Sequence, residues 1–234
     1  MKIEIFSDFT CPFCYIGKRE LEYAIETAGY AGQIEIEYKT YQIGEDTPKA
    51  NAPSFYEGMA AKYDSSLEEV KGMTNGIAMR ANEVGLHYDF DIMKTAHTEK
   101  AHRIAKWTKQ FGKEAAYTEA LMSGYFTAGT DLNDDAVLLE VIADLGLDIE
   151  SAKSVLTSND FIEELDKDRY DAQQIGVQSV PFFVFENRYG IKGAEPNEVF
   201  VRTLHQAAEV AGIKPTLKMV GDGEAVCVVG ECKL

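Results

Sequence analysis

Residues 2–14 read Lys2-Ile3-Glu4-Ile5-Phe6-Ser7-Asp8-Phe9-Thr10-Cys11-Pro12-Phe13-Cys14. Residues 2–6 make a short apolar strand, and an amphipathic helix opens at the cysteines. Pro12 falls in the first turn, where an N–H has no intrahelical acceptor and proline costs least. Behind it Leu21, Ala24, Ile25 and Ala28 recur at i, i+3, i+4 and i+7, and Gly29 closes the helix. Cys11 is therefore expected at a strand-to-helix junction, near unpaired helix N–H groups and the positive end of the dipole. Those groups favour a thiolate, which is the attacking species. Cys14, three residues on, shares that face and is within disulfide reach. Such a pair suits a dithiol that opens and closes reversibly.

Two other readings of Cys-x-x-Cys compete with this one: half of a zinc site, and a structural disulfide in a secreted chain. Zinc normally takes a second ligand pair on a compact knuckle, whereas this pair heads a long helix, so no metal ligand set is assigned. Nothing in the N-terminal residues reads as a signal peptide, since one lysine is followed by Glu4 and Asp8 without a long apolar stretch. The expected location is the cytoplasm, where thiols are kept reduced. At 234 residues the chain can hold one large domain, or one domain with a sizeable insertion. Its net charge of −16 argues against nucleic acid or an anionic membrane as partner. No stretch approaches a membrane span.

Past the first helix, residues 34–39 alternate apolar and charged, as a strand with one covered face does. Strand, helix and strand make a βαβ opening on a parallel sheet. Residues 47–54, with Pro48 and Pro53, read as a linker. From about 54 to 176 the pattern is helical. One helix opens at Ser66 with Val70, Met73, Ile77 and Ala81 inward. Others are expected over about 91–111, 114–126, 135–145 (Val137, Leu138, Val141, Ile142 and Leu145 inward), 149–156 and 160–175. The acidic run 131–135 reads as a helix start, because calcium-loop spacing is absent. Strand character returns with Val180-Pro181-Phe182-Phe183-Val184-Phe185, followed by a polar turn over 187–190 and a short strand from Ile191. A last helix follows Pro196, with Val199, Phe200, Leu204, Ala207 and Ala211 inward and Gly212 at its end.

Several motifs together resemble the DsbA family of disulfide oxidoreductases and, within it, the FrnE-like branch. They are Ser7-Asp8-Phe9-Thr10-Cys11-Pro12-Phe13-Cys14-Tyr15-Ile16-Gly17, Ala101-His102-Arg103, Gly124-Tyr125-Phe126, residues 176–184 around Val180-Pro181, and Gly193-Ala194-Glu195-Pro196. The resemblance implies an α/β class, a thioredoxin-like fold with a large inserted α-helical domain. Residues 1–48 and 177–213 would form the thioredoxin-like part, 49–176 the insertion and 214–234 a tail. It also implies a cis Val180–Pro181 bond beside Cys11 and Cys14, with Val180, Pro12 and Phe13 meeting the substrate. The implied activity is protein dithiol–disulfide oxidoreductase or isomerase, with Cys11 as nucleophile and Cys14 resolving a mixed disulfide. No separate cofactor is required. The partners implied are protein or peptide thiols and disulfides, with glutathione or a thioredoxin-like reductant behind them.

The chain departs from the family at two positions. Ile5 stands where thioredoxins and the oxidase DsbA carry a buried carboxylate six residues before the first cysteine, leaving Asp8 as a substitute. Phe13 stands where strongly oxidising members place histidine, which points to a less oxidising couple. Two alternatives remain beside the leading one. A glutathione-dependent isomerase of small molecules shares the fold, but such relatives typically have serine at the position of Cys11. A redox-gated holdase or metal-binding module would use all four cysteines.

Other residues carry weaker signals. His97 and His102 lack zinc-protease spacing, although the family match brings His102-Arg103 toward the site. Tyr41 and Tyr125 could line a groove, with core packing as the default, and Trp107 reads as core. In the tail, Cys227 and Cys232 stand five apart with Gly230 between them. They are expected to form a second redox pair that exchanges with Cys11–Cys14, against the plainer reading of two incidental thiols.

Overall fold

The computed structural model describes residues 1–48 and 51–216. Strand β1 (Lys2–Ser7), helix α1 (Pro12–Thr27) and strand β2 (Glu35–Thr40) open the chain. Strands β3 (Phe182–Phe185) and β4 (Tyr189–Lys192) and helix α9 (Asn197–Ala211) close it. Between β2 and β3 run α2 (Phe55–Tyr63), α3 (Leu67–Glu83), α4 (Glu99–Lys109), α5 (Glu114–Ala128), α6 (Asp135–Asp144), α7 (Ile149–Thr157) and α8 (Ile162–Gln174). The sheet order is β2-β1-β3-β4, with β1 parallel to β2 and antiparallel to β3. This is the thioredoxin-like arrangement with a large α-helical insertion.

The alternation of β1 builds the sheet's two faces. Ile3 and Ile5 point to one side, where Leu21 and Ala24 of α1 and Phe200, Leu204 and Ala207 of α9 bury them with Phe183 and Phe185. Phe6 points to the other, against Ala172 of α8 and Val177. A third and larger apolar cluster joins Phe9, Cys11, Cys14, Tyr15 and Ile16 to side chains of α2 through α7. The insertion is thus packed directly on the start of α1 and holds the cysteine pair from the side away from the sheet.

Strand β2 lies at a sheet edge, and an edge leaves backbone groups to be satisfied. The insertion satisfies them with side chains. Lys106 Nζ donates to the Tyr38 carbonyl at 2.8 Å, and the Thr40 N–H donates to Asp168 Oδ2 at 2.8 Å. Asp168 is buried and also pairs with Lys106 Nζ at 2.5 Å and Lys39 Nζ at 3.2 Å. Arg103, equally buried, donates to the Val155 carbonyl in the last turn of α7 and to the carbonyls of Ser158 and Asp160 just past it, at 2.6 and 2.8 Å. It braces the insertion and does not reach the cysteines.

Side-chain caps mark four of the helix starts. Ser54 with Glu57 and Ser66 with Glu69 form reciprocal capping boxes, while Asp134 and Asp148 cap α6 and α7. Four expectations need correction. The helix placed over 91–111 begins only at Glu99, because the N–H groups of Thr95 and His97 donate to the Pro53 carbonyl and to Asn133 Oδ1. Helix α2 stands as a separate element inside what reads as continuous helical sequence. On α3 the inward residues are Val70, Thr74, Ile77 and Ala81, and Met73 is 52% exposed. The second hairpin strand also starts earlier than Ile191, since the turn is made by Glu186 and Asn187 with φ of 49° and 50°.

Among the described residues no helix is long and apolar enough to cross a membrane.

Candidate active site

Cys11 occupies the N-cap position of α1 and Pro12 its first helical position, so the turn after β1 delivers both thiols to one end of the helix. The Cys11 sulfur makes no capping hydrogen bond. Its thiol instead donates to the Val180 carbonyl at 3.5 Å. The Val180–Pro181 peptide bond is cis. Cys14 is 2% exposed and Cys11 6%, and both are free thiols. Burial pushes the Cys14 thiol well above its ordinary value, and its hydrogen bond to Cys11 adds to this. The Ser7 hydroxyl and the Asp8 N–H bond the same sulfur and act the other way.

Close packing fixes the Pro181 side of the site. A Cβ on Gly17 would lie 3.0 Å from the Phe183 ring and 3.2 Å from Pro181 Cγ, tighter than ordinary side-chain contact, so a larger residue would press α1 off β3. Gly17→Val should therefore cost about 1–3 kcal/mol through overpacking and push Pro181 off Cys11. Thermal unfolding checks this, and an unchanged midpoint would contradict the contact.

The insertion contributes the opposite wall. Tyr88 donates its hydroxyl to the Pro12 carbonyl at 2.8 Å and stacks on Phe126 with ring centroids 4.5 Å apart. Burial foremost, and nearby Tyr15, Cys11 and Cys14, hold the Tyr88 phenol neutral. Phe13 is the outward residue of the motif, 41% exposed, with Pro12 half-buried beside it.

Beneath the cysteines Asp8 is fully buried. Its carboxylate accepts the Ile43 N–H at 2.7 Å and faces His102 Nε2 at 3.5 Å, and the Phe9 ring lies over His102 at 4.7 Å. Burial works to raise the Asp8 carboxyl, but His102 and the Ile43 N–H outweigh it and hold the group below its usual range.

The structure thus gathers Cys11, Cys14, Pro12, Phe13, Val180 and Pro181 in one place and brings His102 beneath them. Tyr125 is buried with its hydroxyl on the Lys94 carbonyl, Tyr41 sits half-buried beside Phe6, and Trp107 is buried. Cys227 and Cys232 lie outside the described residues. Tyr88 and Ser7 were not singled out individually from sequence. Ser7 falls inside the cysteine motif, which is the one signal that could have flagged it. Tyr88 has no local signal.

A model of the DSBA-like thioredoxin domain matches residues 2–205. The structure is similar to that of a probable DsbA oxidoreductase from Streptomyces coelicolor. That likeness has 30% sequence identity, a TM-score of 0.82, and coverage of 99% of this chain and 100% of the other. A 2-hydroxychromene-2-carboxylate isomerase structure is similar at 17% identity and TM-score 0.65, covering 91% of this chain and 98% of the other. In sequence, the chain is 22% identical to the uncharacterized protein YwbO of Bacillus subtilis (strain 168) over 206 residues, 86% of this chain and 94% of that one.

Proposed function

The chain belongs to the DSBA-like thioredoxin domain family, whose members are thiol–disulfide oxidoreductases, and on that premise we propose that it reduces and reshuffles disulfides in proteins and peptides through Cys11 and Cys14. Cys11 Sγ attacks one sulfur of a substrate disulfide and forms a mixed disulfide, and the other substrate sulfur leaves as a thiolate. Cys14 then loses its proton and attacks Cys11 Sγ. The mixed disulfide breaks, the second substrate thiolate leaves, and the Cys11–Cys14 disulfide holds the oxidising equivalent. Run backward, the same steps oxidise a substrate dithiol.

One observation carries this reading: Cys11 lies at the helix end against Val180 and Pro181, while Cys14 is nearly sealed beneath it. The outward Phe13 and the backbone of Val180 offer an apolar and a hydrogen-bonding surface to an extended peptide. The proposed setting is the cytoplasm, where glutathione or a thioredoxin-like reductant returns the pair to the dithiol. Incubating Cys14→Ser with a peptide disulfide tests the assignment. The peptide should stay bound to Cys11 as a reducible adduct, and absence of any adduct would overturn it.

The likeness to the 2-hydroxychromene-2-carboxylate isomerase supports a second reading, glutathione-dependent isomerisation of a small molecule on the same fold. That reading has no use for Cys14. Small-molecule turnover with glutathione that survives Cys14→Ser would favour it.

A further inference from the structure

The resolving step leaves a problem that the site so far described does not solve. Cys14 must lose a proton while buried, and Ile5 of β1, apolar and 2% exposed, offers it no acceptor. Asp8 is a poor one. Its carboxylate is already engaged by the Ile43 N–H and His102, and those contacts keep it ionised and weakly basic.

Behind Ser7, between β2, α4 and α5, lies a small cavity with about 20 Å³ of room for water centres, and a single water needs roughly 10–15 Å³. Its walls include Ser7, Lys39, His102, Lys106, Glu114 and Thr118, all buried. Among the described residues, Glu114 Oε1 and Thr118 Oγ1 are buried polar atoms with no hydrogen-bond partner in the protein. Both belong to cavity-lining side chains. Buried polar groups are rarely left so, and two around a space of this size match the two to four partners that an internal water takes. Ser7 borders the cavity on one side and bonds Cys14 on the other.

We propose that this cavity is the proton-accepting site for Cys14 during resolution, with Glu114 as the acceptor through the Ser7 hydroxyl and cavity water. The proposal rests on the assignment of Cys14 as resolving residue. The Ser7 hydroxyl turns its own hydrogen toward the cavity, accepts the proton of Cys14 S–H on its oxygen and passes its own on through water to the Glu114 carboxylate. The Cys14–Cys11 bond forms as the Cys11–substrate bond breaks, and the electron pair leaves on the substrate sulfur.

The surroundings of Glu114 suit the role. Burial raises its carboxyl, Lys106 and Lys109 of α4 oppose this, and Glu37 of β2 and Asp168 of α8 reinforce it, bringing it to about 7. Lys39 and Lys106 are both tied to Asp168, and His102 faces Asp8, so none of these competes as the acceptor. An acid with that value accepts a proton at neutral pH and returns it to solvent afterwards.

The test uses the full chain with Cys227→Ser and Cys232→Ser, so that only the active pair reports, and Ellman's reagent as the disulfide. Its first chromophore release measures attack by Cys11 and its second measures resolution. The second rate should rise with pH through an inflection near 7, as the Glu114 carboxylate forms. Glu114→Gln and Ser7→Ala should each remove that inflection, slow resolution about 10–100-fold at pH 8 and leave the first phase unchanged. An unaltered inflection in Glu114→Gln, or one that only His102→Asn removes, overturns the proposal. Should Glu114→Gln fail to fold, the parent alone decides, because a resolution rate without an inflection between pH 6 and 8 overturns it as well. A second phase that persists in Cys14→Ser would instead mean that the underlying cysteine assignment is wrong.

Discussion

Cys11→Ser should abolish disulfide reduction and reshuffling, and Cys14→Ser should arrest the protein as a mixed disulfide with its substrate. Both results follow from the unequal placement of the two sulfurs. Cys11 stands at the helix terminus beside Val180 and keeps 6% of its surface exposed, while Cys14, at 2%, is sealed among Ser7, Asp8 and Tyr88. A serine oxygen at position 11 is a far weaker nucleophile toward sulfur at neutral pH than a thiolate, so turnover of insulin disulfides should fall to the background rate. A serine at position 14 leaves the attack intact and removes only the escape from the adduct. On a non-reducing gel Cys14→Ser should accumulate a species that dithiothreitol dissolves, and peptide mapping should place the bond on Cys11. If Cys14→Ser keeps full turnover while Cys11→Ser is merely slowed, the roles are reversed.

Asp168→Ala should destabilise the fold by about 3–5 kcal/mol, the range for breaking a buried ion pair from one side. The cost has a specific origin. Removing this carboxylate leaves Lys39 and Lys106 charged and buried, and it takes the acceptor from the Thr40 N–H at the sheet edge. Asp168 belongs to α8, Lys106 to α4 and the other two to β2, so the loss falls on the junction between insertion and sheet. Asp166→Ala is the comparison. Asp166 meets Arg169 at 3.5 Å on the surface with its side chain 62% exposed, and its loss should stay within about 0.5 kcal/mol. Urea unfolding of the two variants measures the difference. A loss below about 1 kcal/mol for Asp168→Ala would mean that the cluster does not hold the two parts together.

The sequence carries the frame of this molecule because the frame depends on local patterns. The apolar alternation of β1, the 3.6-residue spacing of α1 and the apolar run before β3 each declare an element without reference to anything distant. Ser66 with Glu69 likewise declares the start of α3. The cysteine pair is legible for the same reason, since proline at the first helical position and two thiols three apart are a local signature. What fails to show is whatever depends on a partner far along the chain. Residues 91–98 have helical composition, yet the backbone N–H groups of Thr95 and His97 are taken by Pro53 and Asn133. Asp168 and Glu114 read as ordinary charged residues on helices. Only the packing of α4, α5 and α8 on β2 buries them and makes one an anchor and the other a weak acid. Tyr88 is similar, an aromatic in a loop whose hydroxyl finds Pro12 through tertiary contact alone.

In the proposed function Cys11 and Cys14 form one reversible two-electron couple, tuned away from strong oxidation because Phe13 supplies no polar support beside Cys11. The reduction potential of the pair, measured by equilibrating the protein with glutathione buffers and quantifying the reduced form, decides this. A single reversible transition is expected between about −270 and −180 mV, the span from thioredoxin to protein disulfide isomerase. A value near −120 mV, where the oxidase DsbA lies, or a pair that never forms a disulfide, would contradict it.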